Sequence, residues 1–200
     1  MMKKIGKYLF SNRSYTPLPF LFVCILFINP TAKSIIIGII FVILAELIRI
    51  WAVSYAGSET RTTGEVGGSV LVTQGPFAIV RNPLYVANIF IYLGVGIMTN
   101  SLFPYLQIIG IIYFLFQYYC IILVEEDYLQ EQFCESYTKY KNNVGRFFFR
   151  FKKVPDECKS NLKFDIIKGL KSELKTLIAI GFVVTLIIVV YLLEIRIFKV

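Results

Sequence analysis

The sequence contains no histidine, only four cysteines and little charge for its length of 200 residues. The absence of histidine removes the commonest general base and the commonest metal ligand. The cysteines form no Cys-x-x-Cys pair, so the sequence predicts neither a disulfide framework nor a zinc site. Charged residues make up 17% of the chain, and three long stretches contain none: residues 14–32, 82–124 and 176–193.

These uncharged stretches are apolar enough to be membrane helices. Hydrophobic residues make up 56% of the chain, and the mean hydropathy is +0.67. A helix needs about 20 apolar residues to cross the hydrocarbon core of a bilayer, and residues 82–124 are long enough for two crossings and a turn. The sequence therefore predicts an all-α, polytopic membrane protein with about five transmembrane helices, at residues 15–28, 34–55, 83–99, 102–124 and 174–193.

The predicted helices divide the chain into three parts. Residues 1–56 are an N-terminal arm and a first transmembrane hairpin. Residues 57–150 hold two transmembrane helices and a cytoplasmic helical segment, which begins at residue 125 and shows helical spacing to about residue 140. Residues 151–200 hold an amphipathic helix at 162–174 and the last transmembrane helix, which could instead be re-entrant or lie along the membrane surface.

The positions of Lys and Arg predict the orientation. The N-terminal arm and residues 129–175 are basic, whereas the turn at residues 98–104 has no charge. Cytoplasmic loops carry the excess of basic residues, so the N-terminus should be cytoplasmic, in a bacterial inner membrane or an endoplasmic-reticulum-type membrane. The net charge of +8 fits this pattern, and we expect membrane lipids and no nucleic acid as partners.

The third predicted helix begins with Arg81-Asn82-Pro83 and contains two glycines. Asparagine is a favoured N-cap, and proline is favoured at the first helical position. The open N–H groups of a helix start attract anions, and Arg81 beside them could clamp a carboxylate or phosphate. The alternative is an ordinary capped helix with a snorkelling arginine. Gly94 and Gly96 leave bare backbone for a ligand or for another helix.

Acidic and basic side chains near the membrane are further candidates. Glu125 and Glu126 end the fourth predicted helix and could hold an ammonium group or ribose hydroxyls, or form a solvated helix end. Glu46 and Arg49 are three residues apart on one helical face, and a charge there is costly. They could contact a polar part of the substrate or form a structural ion pair. Arg146 could bind a carboxylate or lipid phosphate, or anchor the chain.

The order of these motifs resembles one known family. Residues 71–85 carry a Gly-Pro-aromatic turn followed by Arg81-Asn82-Pro83-Leu84-Tyr85, and Gly94-x-Gly96, the Glu125-Glu126 pair, and aromatic motifs at residues 133–140 and 144–147 follow in order. This series is similar to the signature of the isoprenylcysteine carboxyl methyltransferase and phospholipid methyltransferase group. Asn82 replaces the family's histidine, Cys134 a glycine, and Ala87 a frequent glycine.

The resemblance implies S-adenosylmethionine as the methyl donor and residues 57–150 as the cofactor-binding catalytic core. Methylation of a carboxylate needs no base, so the missing histidine favours carboxyl O-methylation of an isoprenylcysteine-like molecule. We expect catalytic roles for Arg81, Asn82, Tyr85 and Arg146 and substrate contacts from Glu46, Arg49 and Arg146. The expected cofactor-binding residues are Arg81, Asn82, Pro83, Tyr85, Gly94, Gly96, Glu125 and Glu126.

Three other functions remain open. Phospholipid N-methylation uses the same donor but requires loss of a proton from the amine. A membrane reductase of the sterol type would use NADPH, although that cofactor's phosphates would favour basic contacts over Glu125 and Glu126. A non-catalytic membrane protein with the same fold is the third alternative, and Asn82 is the feature that favours it.

Overall fold

A computed structural model describes residues 1–57, 67–150, 152–160 and 162–198, with side chains up to residue 193. These ranges form six α-helices and no strand of a sheet. Two 3-10 helices, Gly75–Ala78 and Asp156–Cys158, lie in the connections. The α-helices are α1 Met2–Ser11, α2 Leu18–Leu26, α3 Ala32–Ala56, α4 Pro83–Thr99, α5 Tyr105–Asn143 and α6 Ile166–Phe198.

The described residues include three helices long and apolar enough to cross a membrane. These are Ala32–Ala56, Tyr105–Asn143 and Ile166–Leu193, whereas α4 is a shorter apolar helix. At 1.5 Å per residue, the 9 residues of α2 reach about 14 Å, roughly half of the hydrocarbon thickness. The all-α membrane architecture is confirmed, but the predicted number of about five spans is not.

Two predicted helix boundaries are wrong. The fourth transmembrane helix and the cytoplasmic helix are one helix, α5, which continues past residue 125 to Asn143. The amphipathic helix and the last transmembrane helix are likewise one helix, α6, which begins at Ile166. Neither junction contains a proline to stop the helix. Each helix therefore continues where its side chains change from apolar to polar or the reverse. Only Cys134, with φ 43° and ψ −110°, interrupts α5.

Helices α2 to α6 alternate in direction. At one end, the hydroxyl of Ser34 at the start of α3 donates to the Met98 carbonyl at the end of α4, at 3.1 Å. At the other end, the Asp165 N–H before α6 donates to the Ser54 carbonyl near the end of α3, at 2.9 Å. This alternation brings the start of α4 and the later half of α5 to the same end of the bundle.

Helices α3 and α4 approach each other closely through two glycines. A Cβ built on Gly38 would lie 2.4 Å from the Gly94 carbonyl oxygen, and one on Gly94 would lie 2.9 Å from the Gly38 oxygen. Small residues allow membrane helices to approach this closely. The contact fixes α4, and therefore the side chains at its start, against α3.

Candidate functional site

The chain before α4 is fixed by backbone contacts with the segment after α5. The Arg81 N–H donates to the Gly145 carbonyl at 2.8 Å, beside a parallel bridge between Val80 and Gly145. Asn82 occupies the N-cap position but makes no side-chain cap. Its amide instead donates to the Arg146 carbonyl at 3.2 Å. The predicted helix start is therefore confirmed, whereas the predicted side-chain cap is wrong because the amide binds the neighbouring chain.

Glu126 lies between two guanidinium groups. It accepts from Arg81 at 2.7 Å and from Arg146 at 3.0 and 2.5 Å. The hydrogen bonds that Arg146 donates to Glu126 raise the pKa of Arg146 above its usual value. Arg81 also donates to the carbonyls of Lys141 and Val144 at 2.8 and 2.7 Å. The buried Nε of Arg81 has no acceptor among the described residues, so one charged donor remains open.

Glu125, unlike the adjacent Glu126, accepts a hydrogen bond from a side chain within α4. The hydroxyl of Tyr85 on α4 donates to Glu125 at 2.7 Å. The Tyr85 ring stacks on Tyr118 with ring centroids 4.6 Å apart, and the Asn88 amide donates to the Tyr118 oxygen at 3.1 Å. The start of α4 and the acidic pair of α5 are thus in direct contact.

A second charged cluster surrounds Arg49 on α3. Its guanidinium donates twice to Glu173 of α6, at 3.2 and 2.7 Å, and once to the amide oxygen of Asn88. Glu46 lies 3.6 Å from the Arg49 Nε, in an ion pair on the same helix. The pairing expected from the spacing of Glu46 and Arg49 is present, but Glu173 makes the shorter contact.

One cavity of about 870 Å³ connects these clusters. Its volume is within the range of roughly 300–1,000 Å³ that is usual for small-molecule sites. Its polar wall includes Arg81, Asn82, Tyr85, Glu125 and Glu126, and Pro83 and Arg49 also line it. Its apolar wall includes Leu21 of α2, Ile91 and Val95 of α4, and Ile180 and Val183 of α6.

Four predicted site residues lie outside the cavity lining: Glu46, Gly94, Gly96 and Arg146. A Cβ on Gly94 would lie 2.8 Å from Val42 of α3, and one on Gly96 would lie 3.2 Å from Phe20 of α2. Both glycines therefore pack against helices, which supports the packing alternative, and their expected cofactor contact stays a prediction. The side chain of Arg146 contacts the cavity lining at Glu126.

Sequence reasoning missed several polar residues of the cavity wall, among them Asn88, Tyr118 and Glu173. A signal for Asn88 was present, because it lies three residues after Tyr85 and therefore on the same face of α4. Glu173 was one of several acidic residues in a basic segment, and its contact with Arg49 depends on how α6 packs. No local pattern distinguishes Tyr118 from the other aromatic residues of α5.

The fold and this cavity define a helical membrane protein with a cavity lined by charged residues at one end of the bundle. The phospholipid methyltransferase family matches residues 33–136, which is just over half of the chain. The chain therefore belongs to this family. The matched region contains α3, α4 and most of α5, and it ends before α6 begins.

Three relatives match part of the chain. A cobalt-zinc-cadmium resistance protein of Cupriavidus metallidurans is 32% identical over 57% of this chain and 48% of its own length. A nickel-cobalt-cadmium resistance protein of Alcaligenes xylosoxydans xylosoxydans is 31% identical over 60% of this chain and 52% of its own. The protein-S-isoprenylcysteine O-methyltransferase of Saccharomyces cerevisiae is 33% identical over 58% of this chain and 48% of its own length. The chain thus spans about half the length of these relatives, and no solved structure gives a significant match.

Proposed function

We propose that this protein is an S-adenosylmethionine-dependent methyltransferase that acts on a lipophilic acceptor in the membrane. The observation that carries the proposal is the contact between the start of α4 and the acidic pair of α5. Arg81 and Tyr85 come from one helix end and Glu125 and Glu126 from another, and all four line one cavity. Family membership supports the same activity.

The polar wall fits a donor that carries both charges on its methionine part. Arg81 has a buried Nε with no acceptor among the described residues, which suits a carboxylate. Glu125 accepts one hydrogen bond, from Tyr85, and a carboxylate has capacity for more, which suits an ammonium group or ribose hydroxyls. Asn82 and Pro83 line the same wall. When bound, the donor supplies a methyl group attached to positively charged sulfur.

Arg146 has an indirect role in this arrangement. Because it binds both oxygens of Glu126, it fixes the carboxylate that Arg81 also contacts. The two arginines balance Glu126, so its charge is already compensated. Glu125, with its single donor, is therefore the residue of the pair that we expect to bind the cofactor's cationic end.

We infer a carboxylate as the acceptor group. A carboxylate is already a nucleophile, so positioning and exclusion of water are sufficient, and the chain has no histidine to act as a base. The apolar wall formed by α2, α4 and α6 suits a hydrocarbon tail. The yeast relative, whose name specifies isoprenylcysteine O-methylation, supports an isoprenylcysteine-like molecule.

The family description favours a second acceptor, the amine of a phospholipid. A direct comparison separates the two acceptors. Purified protein would be given S-adenosylmethionine labelled in its methyl group, with N-acetyl-S-farnesylcysteine in one assay and phosphatidylethanolamine in the other. We expect label in the farnesylcysteine ester. Preference for the amine lipid would reverse the acceptor assignment, and label in neither would contradict this acceptor class.

Thermal stabilisation by cofactors tests the other two alternatives. We expect S-adenosylmethionine to raise the unfolding temperature and NADPH to leave it unchanged, because bound ligand stabilises the folded state. Stabilisation by NADPH alone would favour the reductase. Stabilisation by neither, in folded protein, would favour a non-catalytic role.

A further inference from the structure

Arg49 is a buried cation that the proposed cofactor site does not use. Its side chain is 12% exposed, and it lies on α3, one of the candidate membrane spans. Such a charge is costly in a membrane helix and is a functional candidate by default. Arg49, Asn88 and Glu173 all line the cavity, so this cation is open to a bound molecule.

Some N–H groups of the Arg49 guanidinium have no acceptor among the described residues. An arginine carries five N–H donors in a planar fork. Nε and one terminal nitrogen donate to Glu173, and the other terminal nitrogen donates to Asn88. Two N–H groups, one on each terminal nitrogen, thus have no acceptor among the described residues. Paired N–H donors of this kind are suited to a carboxylate.

Contacts from three helices hold Arg49 in place. Glu46, on the same helix α3, lies 3.6 Å from the Arg49 Nε. Glu173 comes from α6, and its side chain is only 1% exposed. Asn88 comes from α4 and is itself held by Tyr118, which stacks on Tyr85. A continuous series of side chains therefore connects Arg49 to the wall that contains Glu125.

The apolar wall of the cavity favours a ligand that combines a carboxylate at Arg49 with a hydrocarbon tail. Ile91 and Val95 follow Asn88 along α4, and Ile180 and Val183 follow Glu173 along α6. Both helices run from the charged end of the bundle toward the opposite end. A molecule with its head group at Arg49 could therefore extend a hydrocarbon tail between α4 and α6.

We propose that Arg49 is the anchor for the carboxylate of the lipophilic acceptor, with Glu173 and Asn88 as positioning residues. This inference rests on the proposed function and adds the head-group subsite to it. It also gives a role to α6, which lies outside the family match. Methylation removes the negative charge of the head group, so Arg49 holds the acid more tightly than the ester and favours release of product.

Binding of acid and ester tests the subsite without any methyl donor. Purified protein in detergent would be titrated calorimetrically with N-acetyl-S-farnesylcysteine and with its methyl ester, which has the same tail. Wild-type protein should bind the acid at least tenfold more tightly. Arg49→Lys keeps the positive charge beside Glu173 but loses the fork, so the preference should fall below about threefold. Arg150→Lys, the same change at an exposed residue, should retain the wild-type preference.

Equal affinity of wild-type protein for acid and ester would overturn the proposal, whatever the variants do. An unchanged preference in Arg49→Lys would overturn it as well. Because these titrations contain no S-adenosylmethionine, their failure is distinguishable from failure of the proposed function. The latter would appear as absent donor binding and absent methyl transfer in wild-type protein.

Discussion

Replacement of Glu126 by glutamine should destabilise the protein far more than its small change in shape suggests. Glu126 is the shared acceptor of Arg81 and Arg146, and three nitrogen atoms of the two arginines lie 2.5–3.0 Å from its two carboxylate oxygens. A glutamine side chain keeps one acceptor oxygen but carries no charge. The substitution therefore leaves two guanidinium groups side by side without a compensating carboxylate.

The expected size follows from burial. Breaking a buried ion pair by removing one partner costs about 3–5 kcal/mol. Glu126 is 16% exposed and Arg146 is 27% exposed, so solvent screens part of the charge and the lower end, about 3 kcal/mol, is appropriate. For a chain of this size, 1 kcal/mol corresponds to about 2–4 °C. The unfolding temperature should therefore fall by about 6–12 °C.

Differential scanning fluorimetry in detergent can measure this change. Glu131→Gln is the matched control, because Glu131 is an exposed residue of the same helix. Glu125→Gln is a second comparison, since its amide oxygen can still accept from Tyr85 and the fold should be retained. If Glu126→Gln melted as high as Glu131→Gln, the two-arginine arrangement around Glu126 would not stabilise the protein and the reasoning would be refuted.

The remaining predictions concern the helix contacts around the site. Tyr85→Phe removes the only donor that Glu125 has among the described residues, so stability should fall by about 1–3 kcal/mol, as measured by thermal unfolding. Gly94→Ala places a methyl group 2.8 Å from Val42 and should cost about 1–3 kcal/mol. Gly181→Ala meets nothing within 4 Å and should stabilise α6 by about 0.5–1 kcal/mol; a loss equal to that of Gly94→Ala would contradict the packing argument.

The spacing of polar residues predicted which helix ends carry the site. Asn82 and Pro83 marked the start of α4, and an uncharged stretch long enough for two crossings separated them from Glu125. Two antiparallel crossings return the chain to the same end, so the contact of Arg81 with Glu126 follows the expected topology. The roles of these residues in binding and catalysis stay predictions.

Side-chain pairing within the site could not be predicted in the same way. The sequence does not show that Glu126 is shared by two arginines whereas Glu125 is held by Tyr85, because adjacent residues on a helix face different directions. The contact of Glu173 with Arg49 joins positions 124 residues apart, and it depends on how α6 packs against α3. The predicted end of the fourth transmembrane helix was also wrong. The sequence becomes polar there, but the helical backbone of α5 continues to Asn143.

A calorimetric titration with S-adenosylmethionine tests the central claim most directly. Wild-type protein should bind the donor saturably at one site. Loss of a charge-assisted contact costs about 1.5–3 kcal/mol, so Glu125→Gln should lower affinity roughly 10- to 100-fold, while Glu131→Gln leaves it unchanged. Absence of binding to folded wild-type protein, or equal affinity in Glu125→Gln, would contradict the assignment of this cavity as the methyl-donor site.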